Sequence, residues 1–361
     1  MKNTIKLIVI GGVFAFAALV FVTNRPSAQT QTPQAQGPTI GQEFKNIKVL
    51  NDVPAEQLGK IMNLFNASLG VDCSFCHNTK DYSLDEKKEK QTARKMIQMT
   101  FDINKANFNN RPQVTCNSCH NGHHEPQQAP TLWPAAESEG IKQPDPKPTA
   151  DQIVANYLAA VGGADKVAKV TSRQITATRV EGEDNKTEPE EIWQKGQNIR
   201  IVTTYPNAVI TEGFGGTSGW RVSNGPELHI NRFDQAEIAR SAQVLFNPDL
   251  KSVYTKIDYR FEDEIDGRPV YLLTGTAANG TDRLYFDVGT GLLVRRMSTI
   301  RTAIGPFVFQ TDYSDYKDFG GVKIPTTIKV AQPGVRFTRK ITKVKINAPI
   351  ADNSVFNEPK K

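Results

Sequence analysis

Cys73-Ser74-Phe75-Cys76-His77 and Cys116-Asn117-Ser118-Cys119-His120 decide how the first half of the chain folds. Both fit C-x-x-C-H, the attachment pattern of c-type haem. The spacing follows from the chemistry. Two thiols must reach the two vinyl groups of one porphyrin, and the adjacent histidine then lies beneath the iron. A disulfide, a zinc site or a thioredoxin-like dithiol are the alternatives. Zinc needs two further soft ligands at each motif, or one shared four-cysteine site that leaves both histidines unexplained. A redox dithiol needs neither the histidine nor the duplication. The chain of 361 residues has four cysteines, so both pairs are used and none remains for a disulfide or a lipid anchor. Cys73, Cys76, Cys116 and Cys119 are therefore the expected thioether positions of two covalently bound haem c groups, with His77 and His120 on their irons.

Working outward, the sixth ligands are sought among four methionines: Met62, Met96, Met99 and Met297. Leu58, Ile61, Met62, Phe65 and Leu69 recur at three- and four-residue steps, which predicts an amphipathic helix over 54–69. Pro54 suits its first turn and Gly70 its stop. A second helix is expected from Leu84 to Ala106, with Ala93, Met96, Thr100 and Ile103 on one stripe and Met99 beside it. A helix carrying Met, a loop and C-x-x-C-H thus occur twice. Ordinary core packing is the competing explanation for any methionine on an apolar face. The repeat favours Met62 for the first haem and Met96 for the second, with Met99 the alternative. His123 and His124 follow His120 too closely to reach the opposite haem face easily, and read as surface residues.

Around this centre the chain divides by composition. Lys2 and Lys6 precede a 16-residue apolar run, Leu7–Val22, which Asn24, Arg25 and Pro26 end. Residues 1–28 are expected to be an export signal or a retained N-terminal membrane anchor. Cleavage after Ala28 would place Pro26 at a position that favours small residues. Removing 1–28 lowers the formal charge from +6 to +3, so charge says little about partners and gives nucleic acid no support. Residues 29–40 read as a tether, and 41–125 as a small, mainly helical dihaem cytochrome domain. Six prolines lie between Pro126 and Pro148, a linker. The expected class is multidomain α + β, because 149–361 reads as an antiparallel β domain.

Residues 41–126 resemble the multihaem cytochrome c subunit of photosynthetic reaction centres, in its first two haem-binding segments. The carrying stretches are Lys60–Met62, Gly70–His77, TARKMIQMTFDIN at Thr92–Asn104 and VTCNSCHNG at Val114–Gly122. The resemblance implies Met62 with His77 and Met96 with His120 as axial pairs, and favours Met96 over Met99. Tetrahaem members of that family carry two further C-x-x-C-H motifs, and none occurs here. They also carry a histidine before the second attachment site that serves a later haem, and Lys105–Gln113 has none.

In the second half, a helix is expected at Ala150–Val161 and another near 234–246. Strands are expected near 173–180, 198–204, 207–213, 268–275, 282–287, 291–299, 305–314, 323–330 and 337–345. DYKDFGGVKIPTTI at Asp315–Ile328 resembles bacterial envelope domains of the lipoprotein-carrier type, which implies a curved antiparallel sheet wrapped round a helix. No nucleophile–base pair is legible. His229 reads as a strand-edge or core residue, Met297 as packing, and Glu262–Gly267 as a solvated hairpin turn, not a calcium loop. The expectation is an electron carrier without enzymatic activity, exported to the periplasm either soluble or anchored to the inner membrane. Redox proteins, a membrane-bound electron-transfer complex or a reaction centre are its expected partners. A haem peroxidase or sensor with one exchangeable ligand, and an envelope lipid or lipoprotein binder with accessory haems, are the rival functions.

Overall fold

The computed structural model describes residues 37–126, 144–182, 184–225, 232–277, 280–350 and 352–359. The leader, most of the tether and linker, and His229 lie outside the described residues. From Pro38 onward the chain forms one compact unit. No helix among the described residues is long and apolar enough to cross a membrane.

The helical region contains α1 (Ile40–Glu43), α2 (Leu58–Leu69), α3 (Cys73–Cys76), α4 (Lys88–Phe108) and α5 (Cys116–His120). Packing reaches into the expected tether: Ile40 is fully buried, and its amide donates to Val53 O at 2.7 Å. The helix expected over 54–69 starts as a short 3-10 turn, Ala55–Gln57, and continues as α2. Gly70 ends it in the left-handed conformation, φ 66°, as its position suggested. The second helix departs from expectation at its start. Leu84–Lys87 are not helical, because the Lys90 ammonium binds the carbonyls of Tyr82, Ser83 and Leu84 and holds that stretch as a loop.

The β region opens with α6 (Ala150–Ala160) and α7 (Ala164–Ala168). Five strands follow: β1 (Ser172–Glu181), β2 (Lys186–Lys195), β3 (Asn198–Tyr205), β4 (Ala208–Phe214) and β5 (Gly219–Ser223). After α8 (Arg232–Val244) come β6 (Lys256–Ile265), β7 (Arg268–Ala277), β8 (Gly280–Asp287), β9 (Leu293–Thr302), β10 (Gly305–Phe319), β11 (Val322–Gln332) and β12 (Val335–Ile346). They form one antiparallel sheet in the order β5-β4-β3-β2-β1-β12-β11-β10-β9-β8-β7-β6. Two meanders are thus zipped together where β1 pairs with β12. One apolar core holds Ile153 and Tyr157 of α6, Ala242 and Val244 of α8, Ile175 of β1, Ile199 of β3, Leu273 of β7 and Ile341 of β12. Residues from strands this far apart in the order meet only because the sheet curves round the helices.

Three strands were not expected: β2, β5 and β6. β5 and β6 are the two sheet edges, and β6 (KIDYRFEDEI) carries the charges by which edge strands avoid adding further partners. It takes up Glu262–Glu264 as strand residues, leaving the tight turn to Asp266 and Gly267, both at positive φ. β2 (KTEPEEIWQK) contains Pro189, which sits where only β1 pairs with it, since pairing to β3 begins at Glu190.

Helical and β regions share a second core. Ile304, in the turn between β9 and β10, is buried with Ile40, Leu50, Ile61 and Ile97. Around it, Ala303 N donates to Gln57 Oε1 at 3.1 Å. Lys60 pairs with Asp234 of α8, and its ammonium lies 5.2 Å from the Phe307 ring centroid.

Candidate haem-attachment sites

Each C-x-x-C forms one turn of helix, so its two sulfurs, three residues apart, share one side of that turn. Local capping explains why these short turns form. The Asp72 carboxylate accepts from Ser74 N at 2.8 Å and from the Ser74 hydroxyl. The second turn has a capping box between Thr115 and Ser118, and Asn121 ends it at φ 46°. None of the four cysteines forms a disulfide. Burial pushes the Cys76 and Cys116 thiols up, and burial pushes the His77 imidazole down.

The two histidines share one device. His77 Nδ1 lies 3.2 Å from Tyr82 O, and His120 Nδ1 lies 2.9 Å from His123 O. A carbonyl can only accept, so each Nδ1 carries the proton and each Nε2 presents a lone pair. Metal-binding histidines are held in their tautomer by this arrangement. This donor set, two thiols on one helical face and an oriented imidazole beside them, fits covalent haem at both motifs.

The motifs also adjoin. The end of α2 lies against the turn after α5, where Gly122 N donates to Ser68 O at 2.8 Å. A Cβ on Gly70 would stand 2.1 Å from Gly122 O, so no larger residue fits there. Phe75 of the first motif and His124 beyond the second bring their rings to 5.8 Å between centroids.

The predicted methionines fall in different settings. Met62 is half-buried against the core that holds Ile61 and Ile304. Met96 is 38% exposed and Met99 43%, so core packing does not describe either. The expected stripe of Ala93, Met96, Thr100 and Ile103 is displaced: α4 buries Lys90, Ile97, Thr100 and Asn104. Among the described residues, six of the eight exposed large apolar side chains, Met96 and Met99 with Phe44, Phe75, Tyr82 and Leu84, lie in this region. His123 and His124 are exposed, as expected of surface residues, although the His123 carbonyl orients His120. Met297 packs in a small cluster with Val270, Leu272 and Tyr285.

Sequence reasoning missed three contributors. Buried Asn104 donates to Val114 O at 2.7 Å and accepts from Gln113 N and Val114 N, fastening the approach to the second motif onto α4. An amide on the inner face of a helix was the available signal. Lys90 does the same for the loop after the first motif. The third is the β9–β10 turn. Ile304, Pro306 and Val308 close a cavity of about 250 Å3 against Leu64, Ala67 and Ser68 of α2 and Thr115–Asn117, with Cys116 in its wall.

Two oriented C-x-x-C-H turns define a c-type cytochrome. The chain belongs to the photosynthetic reaction centre cytochrome c subunit family, whose profile matches residues 17–198. Its haem c is accordingly covalently bound. Among relatives, cytochrome c-554 of Chloroflexus aurantiacus is 30% identical over 128 residues, covering 34% of this chain and 30% of that protein. The photosynthetic reaction center cytochrome c subunit of Roseobacter denitrificans is 32% identical over 100 residues, 25% of this chain and 26% of its own. That of Rubrivivax gelatinosus is 24% identical over 152 residues, 41% and 37%. The chain thus spans about a third of the length of these relatives. Among solved structures, a DUF1329 family protein from Desulfovibrio piger covers 58% of this chain and 97% of its own at a TM-score of 0.40 and 13% identity. A LolA superfamily protein from Nitrosomonas europaea covers 58% and 98% at 0.37 and 14%.

Proposed function

We propose that the protein is an exported dihaem cytochrome that passes electrons between redox partners, without substrate chemistry of its own. The observation that carries this is the pairing of two C-x-x-C-H turns in contact, each with its histidine tautomer fixed by a backbone carbonyl. Cys73 and Cys76 hold one haem and Cys116 and Cys119 the other. His77 and His120 would bind the irons as proximal ligands, and Met62 and Met96 would supply the sixth ligands, with Met99 the alternative for the second iron. Haem supplies one-electron chemistry between Fe(III) and Fe(II). The chain fixes the ligands, excludes water and sets the potential. Methionine opposite histidine raises potentials relative to two histidines.

Lys2, Lys6 and the Leu7–Val22 run support export, and the mature protein works in the periplasm, soluble or held at the inner membrane by that segment. The partners follow from family membership: redox proteins, among them a membrane-bound complex of the reaction-centre type. The lipid-carrier alternative asks for a dry cavity in the β region. There, buried ion pairs cross the described interior, Arg339–Glu190 and Arg240–Asp282–Arg296, and buried charge suits an apolar ligand poorly.

The test is a spectroscopic redox titration beside Met62→Ala and Met96→Ala. Each variant should lower one potential and open that iron to carbon monoxide. If neither variant shifts a potential or a spectrum, the methionine assignment fails. Carbon monoxide binding by the reduced wild type at neutral pH would favour the sensor or peroxidase reading instead.

A further inference from the structure

The two proximal histidines are oriented alike but not equally. The Tyr82 carbonyl that faces His77 Nδ1 at 3.2 Å also accepts from Lys90 Nζ at 3.0 Å. Lys90 is buried, and its ammonium reaches Ser83 O at 3.1 Å and Leu84 O at 2.7 Å. Asp85 Oδ1 lies 3.0 Å from Lys90, and Asp85 Oδ2 accepts from Arg94 Nη1 at 2.9 Å. One carboxylate thus meets two cations, and although Asp81 also faces Lys90, the charged groups that bear on His77 are the cations Lys90, Arg94 and Lys87. Lys87 also donates to Ser74 O. At the second motif His120 Nδ1 meets the His123 carbonyl at 2.9 Å, and among the described residues no cation joins it.

We infer that Lys90 is a positioning residue that raises the potential of the first haem. The inference rests on reading His77 and His120 as axial ligands of two haems. Two effects act in one direction. A carbonyl that also serves an ammonium is a poorer acceptor for the His77 N–H, so the imidazole donates less charge to iron and Fe(III) is less stabilised. The cations that bear on His77 also favour the state with one positive charge fewer. The step is uptake of one electron from a chemical mediator, Fe(III) to Fe(II), with no bond broken and no proton required.

The sign separates tuning from mere support. If Lys90 only holds the loop, its loss frees the Tyr82 carbonyl from His77, weakens that hydrogen bond and raises the potential. If it tunes, its loss strengthens the bond, removes a charge and lowers the potential.

The test is a redox titration of holoprotein carrying Lys90→Met or Lys90→Arg. Cys73→Ser with Cys76→Ser identifies the first transition by removing it. In Lys90→Met the first transition should fall by about tenfold in its reduction equilibrium, about 59 mV for a one-electron couple, while the second stays in place. Lys90→Arg should restore most of it. A first transition that is unmoved, raised, or lowered together with the second overturns the inference and leaves the dihaem reading standing. A holoprotein mass short of two haems overturns both.

Discussion

The two attachment segments carry the same motif and the same histidine device, yet they are enclosed by different means. The first is closed by its own neighbourhood: Asn46, Asp85, Lys90 and Arg94 fold the stretch after His77 back onto α4. The second is closed from a distance. Thr115 and Cys116 lie under Ile304, Pro306 and Val308, which the chain reaches only after running through most of the β region. The loop after the first motif is therefore closed locally, whereas the second motif itself is walled by a contact between regions; α2, which carries Met62, meets the β region as well. The β region is, on this geometry, part of the wall of the second site.

The largest perturbation separates them outright. Cys116→Ser with Cys119→Ser should remove one haem, seen as a loss of about half the haem absorbance and as a lower holoprotein mass. Because the loop that orients His77 is held by its own contacts, the first haem should remain attached and ligated. A first haem lost along with the second would break the comparison, and would mean that the two sites form only together.

Next comes the wedge. Ile304 is 4% exposed in a core it shares with four isoleucine and leucine side chains of the helical region. Ile304→Ala should cost about 2–5 kcal/mol in denaturant unfolding, the range for such truncations. Hydrogen exchange should then rise at α5 and not at α3. Equal protection loss at both would show that the hairpin supports the whole helical region, not one site.

That asymmetry also explains what the sequence could convey. α2 is legible because Leu58, Ile61, Phe65 and Leu69 repeat on one face between Pro54 and a stop at Gly70. The cysteine spacing is legible because covalent chemistry dictates it. Ile304 is not, since a lone isoleucine between Ala303 and Gly305 looks like any hairpin residue until its partner surface is in place. Lys90 and Asn104 read as solvated helix residues, because charge and amide are ordinary on helices, and only tertiary folding turns them inward. β2 and β6 were hidden by their charges. In β2 the reason is physical: Glu190 is buried opposite Arg339, with Arg339 Nη2 donating to Glu190 Oε1 at 3.0 Å, so a charged residue marks a core position. Arg339→Met should accordingly cost up to about 3 kcal/mol, since Glu190 keeps the Thr203 hydroxyl and Arg179 at 4.0 Å. As it lies in the sheet away from both motifs, it should leave both potentials in place in a redox titration.

A smaller effect is expected where the two segments touch. Gly70 combines φ 66° with a backbone approach that leaves no room for Cβ. Gly70→Ala should destabilise by roughly 1–3 kcal/mol through strain alone, and must also push the α5 turn off the end of α2. The second potential should move more than the first, because the displaced Gly122 adjoins His123, whose carbonyl orients His120.

The smallest effect concerns acid, and it should fall on the first segment. Asp85 is held well below the usual carboxylate range, chiefly by the Arg94 guanidinium, with help from Asn46 and Lys90. A carboxylate whose folded pKa is depressed contributes stability that is fully present above its unfolded pKa, about 3.9. That contribution is lost as pH falls through the lowered folded value. From neutral pH down to about 4 the loop after His77 should therefore be indifferent to acid, and below that it should loosen progressively. Exposure to solvent screens the pair and keeps the effect modest. Asp85→Asn should abolish this pH dependence, read as hydrogen exchange across 82–87 in an acid titration. Protection across α5 should follow the same acid curve in the variant and the wild type. If Asp85→Asn altered α5 as much as the loop, the loop after the first motif would not be closed locally, and its closure too would have to be sought in contacts made far along the chain.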